Sequence, residues 1–265
     1  MDLQLAGRRA VVTGGSRGIG LAAADRLAAE GASVALIARD LDALETAATQ
    51  VRRHGGPVLV RPTDTRDDTA VRAMVIQVVE TFGGVDVLVN AAARPASAAP
   101  VPTLAELTDD AVRAEVETKV LGYLRCARAV APHMRAQGFG RIINVSGLNA
   151  RATGSLAGSV RNVAVAALTA NLADELGRDG ITVTVVHPGT TVTEATPRML
   201  AERAVRDGTT PEEVARRLAA ATSIGRLVNA AEVADVIAFL ASPLSAAITG
   251  DAIAVGGGAR GAIHY

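Results

Sequence analysis

The sequence predicts one α/β domain, a doubly wound parallel β-sheet flanked by helices. Short runs rich in Val, Ile and Leu alternate with longer helical stretches along the whole chain. The runs are apolar throughout, which is typical of strands that are covered on both faces. A repeated strand–helix order gives parallel strands joined by right-handed crossovers. Since no linker, low-complexity tract or repeat interrupts the 265 residues, we expect a single domain over residues 1–265.

The elements can be assigned in chain order from these patterns. Strands are predicted at RAVVT (9–13), SVALIA (33–38), PVLVR (57–61), VDVLVN (85–90), RIINVS (141–146), ITVTVV (181–186) and AIAV (252–255). Helices are predicted over residues 21–29, 41–54, 67–82, 109–137, 162–178 and 231–240. Residues 190–222 break the alternation and hold one helical stretch, at 211–221. Ligands of doubly wound sheets bind beyond the carboxyl ends of the strands, where such an insertion can close as a lid.

Composition and charge exclude several classes of protein. Hydrophobic residues make up 49% of the chain, which is enough to bury a core. Lys and Arg together number 27 and Asp and Glu 27, so no basic field for nucleic acid is expected. A single cysteine, Cys126, excludes a disulfide framework and a Cys-based zinc site. The N-terminus lacks a signal-peptide pattern, and no apolar run is long enough to cross a bilayer. We therefore expect a cytoplasmic protein that binds a small molecule and no metal, nucleic acid or membrane.

The first predicted strand leads directly into the glycine-rich string TGGSRGIG (13–20), and a helix follows. Glycines at such a turn let the backbone approach a pyrophosphate at the positive N-terminus of the helix. A turn that merely needs flexible residues is the alternative, but the position between a first strand and a first helix favours nucleotide binding. The string therefore predicts a dinucleotide site that includes Gly14, Ser16, Arg17, Gly18, Ile19 and Gly20.

The spacing G-x3-G-x-G and the segments around it resemble the short-chain dehydrogenase/reductase family over nearly the whole chain. Residues 64–65, in RPTDTRD, look like the family's adenine-contacting segment, and residues 90–93 stand where the family usually has Asn-Asn-Ala-Gly. The string HPG followed by Thr193 looks like the family's Pro-Gly-x-x-x-Thr segment beside the nicotinamide, and TGD (249–251) and GGG (256–258) match its C-terminal region. The resemblance implies a Rossmann-type fold, an oxidoreductase activity and further cofactor contacts from Asp64, Thr65, Asn90, Ala91, Pro188, Gly189 and Thr193.

The end of the second predicted strand predicts which dinucleotide is bound. In this fold an acidic residue there holds the ribose hydroxyls of NAD, whereas an arginine accommodates the 2′-phosphate of NADP. Here Ala38 stands at the acidic position, Arg39 follows it, and Arg17 lies in the glycine-rich turn. Two guanidinium groups suit a phosphate dianion through forked, charge-assisted hydrogen bonds. The alternative is that both arginines are solvated at the surface and bind no phosphate. We predict NADP(H) over NAD(H).

The usual catalytic residues of the family are missing. Its members transfer a hydride with the help of a tyrosine, a lysine four residues later, a serine and an asparagine. The chain has only two tyrosines, Tyr123 and Tyr265, and one lysine, Lys119, so it cannot contain Tyr-x-x-x-Lys. Alignment from the following helix puts Gly158 at the tyrosine position and Asn162 at the lysine position. An ungapped alignment from the preceding strand puts residues 160 and 164 there instead. We prefer the first alignment because residues 172–176 then also match.

Lys119 stands where the family normally has its asparagine, so lysine and asparagine are exchanged between two positions. We hypothesise that the site keeps one ammonium group, delivered from the neighbouring helix, whose lowered pKa lets it act as an acid or base. A lysine that extends to the helix surface is the alternative. The serine position falls on Gly147, with Ser146 beside it. The predicted catalytic set is Lys119, Ser146 and Asn162, with Ser155 and Ser159 as substitutes for the serine.

Other candidates carry weaker signals. Arg161 and Asn149 could face the same cleft and bind a carboxylate or carbonyl group. His187 lies at a strand end near the cofactor, where a structural role is more common. Tyr265 ends the chain and could enter the site of a neighbouring subunit. Cys126 has the surroundings of an ordinary packed thiol.

The substrate and the assembly are the least defined by sequence. Residues 190–222 contain Met199, Leu200 and several arginines, which suggests an apolar substrate with an anionic group, such as an acyl thioester. The resemblance implies a homodimer or homotetramer, with Ala- and Val-rich helices such as residues 163–176 in close contact. The leading hypothesis is an NADP(H)-dependent oxidoreductase with a rearranged site. A catalytically silent subunit that assembles with an active paralogue and a non-redox enzyme that reuses the cleft are the alternatives.

Overall fold

The computed structural model describes residues 1–93 and 101–258, and within them seven strands form one parallel sheet. The sheet strands are β1 (Arg9–Thr13), β2 (Ser33–Ala38), β3 (Val58–Pro62), β4 (Val87–Asn90), β5 (Gly140–Val145), β6 (Ile181–Pro188) and β9 (Ala252–Val255). Their order is β3-β2-β1-β4-β5-β6-β9. The chain runs from β1 to one edge and then returns to place β4 on the other side of β1. The predicted doubly wound sheet is confirmed, and ligands of such sheets bind at this point of reversal.

Helices cover both faces of the sheet. They are α1 (Gly18–Ala29), α2 (Leu41–Val51), α3 (Asp68–Phe82), α4 (Asp109–Glu115), α5 (Gly122–Gln137), α6 (Leu156–Leu176), α7 (Thr196–Asp207), α8 (Pro211–Ala220) and α9 (Ala230–Ala241). Several helices are preceded by a capping residue, whose side chain accepts a hydrogen bond from the backbone amide three residues later. Asp40, Asp67 and Thr108 cap α2, α3 and α4 in this way. These local signals explain why most helix starts were close to their predicted positions.

The core consists of two apolar layers, one on each face of the sheet. Val12 and Leu36 point into the layer that contains Leu27 of α1 and Ile237 of α9. Their neighbours in the strands point the other way, and Val11 packs in the layer of α3, α5 and α6. Because both faces are covered, every residue of β4, β5 and β6 is buried, as is every residue of β1 after Arg9. This arrangement is the physical reason for the continuous apolar runs in the sequence.

The long helix predicted over residues 109–137 is three pieces. A π-helical turn, Val116–Leu121, separates α4 from α5. The wider turn leaves Lys119 as the buried side chain of that segment. Apolar periodicity could not reveal the turn because it changes the register by one residue without ending the helix.

The segment 190–222 is more regular than predicted. The helix predicted at 211–221 is present as α8, and α7 precedes it where we expected a loop. Two short strands, β7 (Thr191–Val192) and β8 (Val228–Asn229), pair in parallel and hold both ends of the segment together. Strands of two residues are too short to leave a sequence period.

Two kinds of feature are absent from the part of the chain that the structure describes. No helix there is both long and apolar enough to span a membrane. No three His, Cys, Asp or Glu side chains among these residues converge to hold a metal ion.

Candidate active site

The glycine-rich turn between β1 and α1 is packed so tightly that side chains are excluded. Gly14 has φ +68°, and a Cβ atom built on it would lie 2.7 Å from the Ala91 carbonyl oxygen. A Cβ atom on Gly20 would lie closer than 3.0 Å to the Gly14 carbonyl oxygen, a separation that proteins essentially never show. The backbone amide of Ala91 also donates to the Thr13 hydroxyl at 3.2 Å. The turn therefore presents bare backbone at the carboxyl ends of β1 and β4.

The N-terminus of α1 binds an anionic oxygen. The helix begins at Gly18, and the preceding Arg17 provides no side-chain cap. Instead, the Gly18 amide donates to both carboxylate oxygens of Glu194, at 3.0 and 3.3 Å. The first-turn N–H groups of a helix carry partial positive charge and attract anions. A diphosphate group needs an amide that binds anions and a close approach to the backbone. Gly18 provides the first and the packed glycines Gly14 and Gly20 the second, so these residues fit a dinucleotide.

The predicted adenosine end carries two exposed arginines. Neither Arg17 nor Arg39 forms a salt bridge with any residue that the structure describes. Arg39 lies close enough to Asp64 to contribute to its lowered pKa, although the largest cause is the hydrogen bond from Arg66. The Arg66 side chain donates to the Asp64 carboxylate at 2.6 Å. The Asp64 side chain is thus held by a neighbour, whereas the two arginines retain donors for a phosphate.

Other predicted cofactor residues also lie at the carboxyl ends of the sheet strands. Asn90 is buried at the end of β4 and donates to the Asn144 side chain of β5 at 3.0 Å. Thr65 is buried against α5, where a Cβ atom on Gly122 would lie 3.0 Å from its hydroxyl oxygen. Gly189 follows Pro188 at the end of β6, and its amide donates to Val255. The structure therefore brings these residues to the carboxyl ends of the strands, which is where ligands of doubly wound sheets bind.

The predicted catalytic residues form one buried cluster. The Lys119 ammonium group donates to the backbone carbonyl of Ser146 at 2.9 Å. The Ser146 hydroxyl donates to the backbone carbonyl of Asn162 at 3.2 Å. A Cβ atom on Gly147 would lie 3.0 Å from the Asn162 side-chain nitrogen. Lys119, Ser146 and Asn162 therefore meet at the carboxyl end of β5, beside the position where the resemblance places the serine.

The orientation of α6 agrees with the preferred alignment. Gly158 and Asn162 are buried on the side of the helix that faces β5, whereas Val160 is about half exposed, at 48%. A Cβ atom on Gly158 would lie 3.2 Å from the Asn149 side-chain nitrogen and 2.7 Å from the Ser155 hydroxyl. Position 162 therefore belongs to the cluster, and position 158 faces Asn149 and Ser155.

Lys119 does not extend to the surface, so that alternative was wrong. Its side chain is buried, and burial lowers its pKa from 10.5 to about 7, with a further lowering contribution from Arg161. Glu115 acts in the opposite direction, but its carboxylate is bound by the Arg161 guanidinium. The amine therefore has no carboxylate of its own among the described residues.

This burial has a consequence for stability. Replacing Lys119 by methionine is expected to stabilise the fold, most strongly below pH 7, because the buried ammonium no longer has to be desolvated. The folded pKa of about 7 lies below the unfolded value of 10.5. Unfolding therefore takes up a proton between these values, and wild-type stability rises with pH across that window. Urea denaturation at about pH 6 and about pH 9.5 would measure the difference, which should shrink at the higher pH. An equal difference at both pH values would contradict the lowered pKa.

Several other candidates are occupied by structural contacts. Arg161 binds Glu115 and donates to the Asn162 side chain at 3.3 Å, so it is not open to a carboxylate. Ser155 caps α6 through the Gly158 amide, and the Ser159 hydroxyl donates to Ala152, so neither replaces the missing serine.

Tyr123 and Cys126 are also structural. The Tyr123 hydroxyl is buried and donates to the Val145 carbonyl at 2.8 Å. Burial raises the pKa of this phenol, which excludes it as a substitute acid. Cys126 is buried and its thiol pKa is raised to about 12 by burial, in agreement with a packed thiol. Tyr265 lies outside the described residues.

His187 is buried beside the cluster. It follows Val186 of β6, which pairs with Val145 of β5, so it lies across from Ser146. Burial lowers its pKa to about 4, with smaller contributions from Arg151 and Lys119, so its ring is neutral near pH 7. Its Nδ1 atom has no hydrogen-bond partner among the described residues. Sequence reasoning gave this histidine a structural role and had no signal for its polar surroundings.

Two features of the site were missed by sequence reasoning. Glu194 binds the start of α1, and Asn144 links Asn90 to the Thr169 hydroxyl of α6 through a 2.9 Å hydrogen bond. Glu194 directly follows Thr193 of the nicotinamide segment, a position that was available as a signal. The Asn144 contact joins residues 25 apart in the chain and had no local signal.

The chain is similar in sequence to known proteins over most of its length. A family model for short chain dehydrogenases matches residues 8–204. The short-chain reductase protein NovJ of Streptomyces niveus is 37% identical over 250 residues, which cover 94% of this chain and 92% of NovJ. The (2S)-[(R)-hydroxy(phenyl)methyl]succinyl-CoA dehydrogenase subunit BbsC of Thauera aromatica is 34% identical, with 95% of this chain and 94% of BbsC covered.

Solved structures match over nearly the whole chain. L-Sorbose reductase from Gluconobacter frateurii, complexed with NADPH and L-sorbose, has a TM-score of 0.91 and 31% identity, with 99% of this chain and 100% of that chain covered. A variant of actinorhodin polyketide ketoreductase with NADPH has a TM-score of 0.87 and 35% identity, with 94% of this chain and 96% of that chain covered.

Proposed function

The chain belongs to the short-chain dehydrogenase/reductase family, and on this premise we propose that it is an NADP(H)-dependent oxidoreductase that interconverts a carbonyl and an alcohol. The observation that carries the proposal is the anion-binding turn before α1, with its bare backbone and its occupied Gly18 amide. Relatives named as reductases, two of them in complexes with NADPH, support the same conclusion. The cofactor, when bound, supplies or accepts the hydride.

Arg17 and Arg39 support the choice of NADP(H). Both are exposed at the end of β2 and in the adjoining turn, and Ala38 leaves no carboxylate that would repel a 2′-phosphate. Guanidinium groups bind phosphate through forked hydrogen bonds that a hydroxyl cannot replace.

Arg39→Ala is expected to raise the Kd for NADPH by about 10- to 100-fold, because one charge-assisted phosphate contact is lost. The Kd for NADH should stay within about twofold, since NADH has no 2′-phosphate. The fluorescence of the reduced nicotinamide measures both values without tryptophan background, because the chain has no tryptophan. Arg178→Ala is the matched control, since Arg178 lies just before β6, at the amino end of that strand and away from the proposed cofactor site. Equal loss of NADPH and NADH affinity would show that Arg39 does not contact the phosphate.

We assign the proton transfer to Lys119. As an ammonium group it donates a proton to the oxygen of the carbonyl carbon that receives the hydride, and it is left as a neutral amine. In the reverse direction the neutral amine accepts the proton of the alcohol. Ser146 holds the amine through its backbone carbonyl. The side-chain amide of Asn162, which lies beside Gly147, is proposed as a second donor to the substrate oxygen. Lysine thus replaces the missing phenol as the acid.

The substrate is proposed to be a carbonyl or alcohol on an apolar molecule, of the acyl-thioester type. Residues 190–222, which include α7 and α8, are proposed as the lid over it. The names of two relatives, a polyketide ketoreductase and a succinyl-CoA dehydrogenase subunit, support carbonyl chemistry on acyl chains. A homodimer or homotetramer is also proposed, since Leu156, Val160 and Val163 leave an apolar stripe of α6 about half exposed. Sedimentation analysis would measure the assembly state.

A catalytically silent subunit is the second candidate. The tyrosine and serine positions are both glycine, and BbsC is named as one subunit of a dehydrogenase. In that case the chain would bind NADP(H) and assemble with an active paralogue, without turning over a substrate itself.

Titration with NADPH followed by assays on carbonyl compounds tests these proposals. The panel should include a 3-ketoacyl thioester and a simple ketone, with nicotinamide absorbance as the signal. Binding with turnover supports the oxidoreductase. Binding without turnover, together with co-purification of a family member that has Tyr-x-x-x-Lys, favours the silent subunit. Absence of NADPH binding overturns the proposal, and substrate conversion without a change in absorbance indicates a non-redox enzyme.

A further inference from the structure

Glu194 connects the start of the lid segment to the glycine-rich turn. It directly follows β7 and Thr193, and its carboxylate accepts hydrogen bonds from the Gly18 amide, which is 176 residues away in the chain. The side chain of Thr193 lies against the same glycine, since a Cβ atom on Gly18 would be 3.7 Å from its methyl group. The contact therefore joins two segments that both border the proposed cofactor site.

The contact serves as the cap that α1 otherwise lacks. Arg17 contributes no side-chain cap, and the first turn of α1 contains no acidic residue. Helices α2, α3, α4, α6 and α8 are capped by the residue that precedes them. An unpaired helix N-terminus attracts an anion from elsewhere, and here the anion comes from the lid segment.

The position of Glu194 is held by its own loop. The Thr193 amide donates to the Thr196 hydroxyl at 2.8 Å, and that hydroxyl donates to the Thr191 carbonyl at 3.3 Å. The pairing of β7 with β8 anchors the residues before it. The carboxylate therefore reaches Gly18 from a structured loop.

From this geometry we infer that Glu194 is an internal competitor of the cofactor, whose carboxylate binds the helix terminus that a diphosphate requires. This inference rests on the proposed function for the identity of the ligand. Binding of the dinucleotide displaces the Glu194 carboxylate. The carboxylate and the diphosphate cannot both accept from the Gly18 amide, and two negative groups at one amide repel each other. Displacement separates Glu194 from the Gly18 amide, so the contact between the lid segment and α1 is broken when the cofactor is bound.

Glu194→Gln tests the competition through two effects of opposite sign. The Kd for NADPH is expected to fall by about three- to tenfold, because the repelling charge is gone. Without added nucleotide, the midpoint of thermal unfolding should fall by about 1 to 4 °C, because the helix loses its charged cap. A residue with a merely structural role would lower both stability and affinity. The affinity gain should shrink in high salt.

Glu202→Gln is the matched control. Glu202 lies on α7, is about half exposed and pairs with Arg198 instead of the turn. Its substitution should leave both the Kd and the midpoint unchanged. Glu194→Asp keeps the charge with a shorter reach and should bind NADPH with an affinity between those of the wild type and Glu194→Gln.

Thermal unfolding with saturating NADPH provides a second test. The midpoint of Glu194→Gln should then equal or exceed that of the wild type, because the carboxylate no longer caps α1 in the complex and the variant binds NADPH more tightly. A midpoint deficit that persists with NADPH, or unchanged or weaker NADPH binding by Glu194→Gln, would overturn the competition and leave the proposed function intact. A wild type that binds no NADPH would instead overturn the proposed function.

Discussion

Replacing Lys119 by asparagine is expected to lower kcat by about 100- to 10,000-fold, the usual contribution of a positioned general acid. The Kd for NADPH should change little, since Lys119 lies at the carboxyl end of β5 and not in the glycine-rich turn. Asparagine is the residue that the family normally has at this position, so the variant should fold. Steady-state kinetics with the substrate found in the carbonyl screen measure the effect. Unchanged kcat would remove Lys119 from the mechanism.

The pH dependence of the wild type distinguishes an acid from a merely structural lysine. Reduction needs the ammonium form, so kcat for reduction should fall above about pH 7, while kcat for alcohol oxidation should rise over the same range. The charged groups that act on the pKa of the amine are Glu115 from α4 and Arg161 from α6, and His187 of β6 is close enough for Lys119 to lower its pKa. Glu115→Gln removes the one contribution that raises the Lys119 pKa and should shift both profiles to lower pH.

Because Lys119 is the only lysine, amine chemistry reports on it directly. Reductive methylation followed by mass spectrometry should modify two amines, Lys119 and the N-terminal amine of Met1. The rate at Lys119 should level off above about pH 7, whereas an ordinary lysine would show a rate that rises to about pH 10.4. The Lys119→Asn protein is the control and should lose one site. Failure to modify Lys119 at any pH would show that small molecules do not reach the amine, which would contradict its role as the proton donor to a substrate.

Gly20→Ala is expected to destabilise the fold by about 3 kcal/mol or more, the upper range for overpacking. The new Cβ atom would meet the Gly14 carbonyl oxygen, which is backbone and cannot rotate away as a side chain could. For a domain of this size, we expect the midpoint of thermal unfolding to fall by about 6 to 12 °C. NADPH binding should be lost at the same time, because relief of the clash opens the turn. Circular dichroism and nicotinamide fluorescence measure the two effects.

Gly177→Ala is the matched control for this substitution. Gly177 follows α6 with φ −59°, and a Cβ atom there would have no neighbour within 4 Å. Alanine at such a position reduces the freedom of the unfolded chain and should be neutral or slightly stabilising. If Gly20→Ala were as well tolerated as Gly177→Ala, the glycine-rich turn would be looser than its contacts indicate.

Much of the fold could be predicted because its signals are local. The strands were assigned to within about two residues, since runs such as SVALIA are buried on both faces of the sheet and are therefore apolar throughout. The capped helices α2, α3, α4 and α8 also begin within one residue of their predicted starts, whereas the capped helix α6 begins at Leu156, well before the predicted residue 162. The π-helical turn around Lys119, helix α7 and the β7–β8 pair were missed, because none of them changes the apolar period over a long enough window.

The candidate site divides in the same way. The sequence by itself determined that the chain has a glycine-rich phosphate turn and no Tyr-x-x-x-Lys, because these are properties of residue identity and spacing. Only the tertiary structure decided that Lys119 is buried against Ser146, that Arg161 is bound by Glu115, and that Glu194 caps α1. These contacts join residues from distant parts of the chain. Burial sets the pKa of the Lys119 amine, and contacts between distant residues decide which group caps α1. Both exist only once the sheet and its helices are packed.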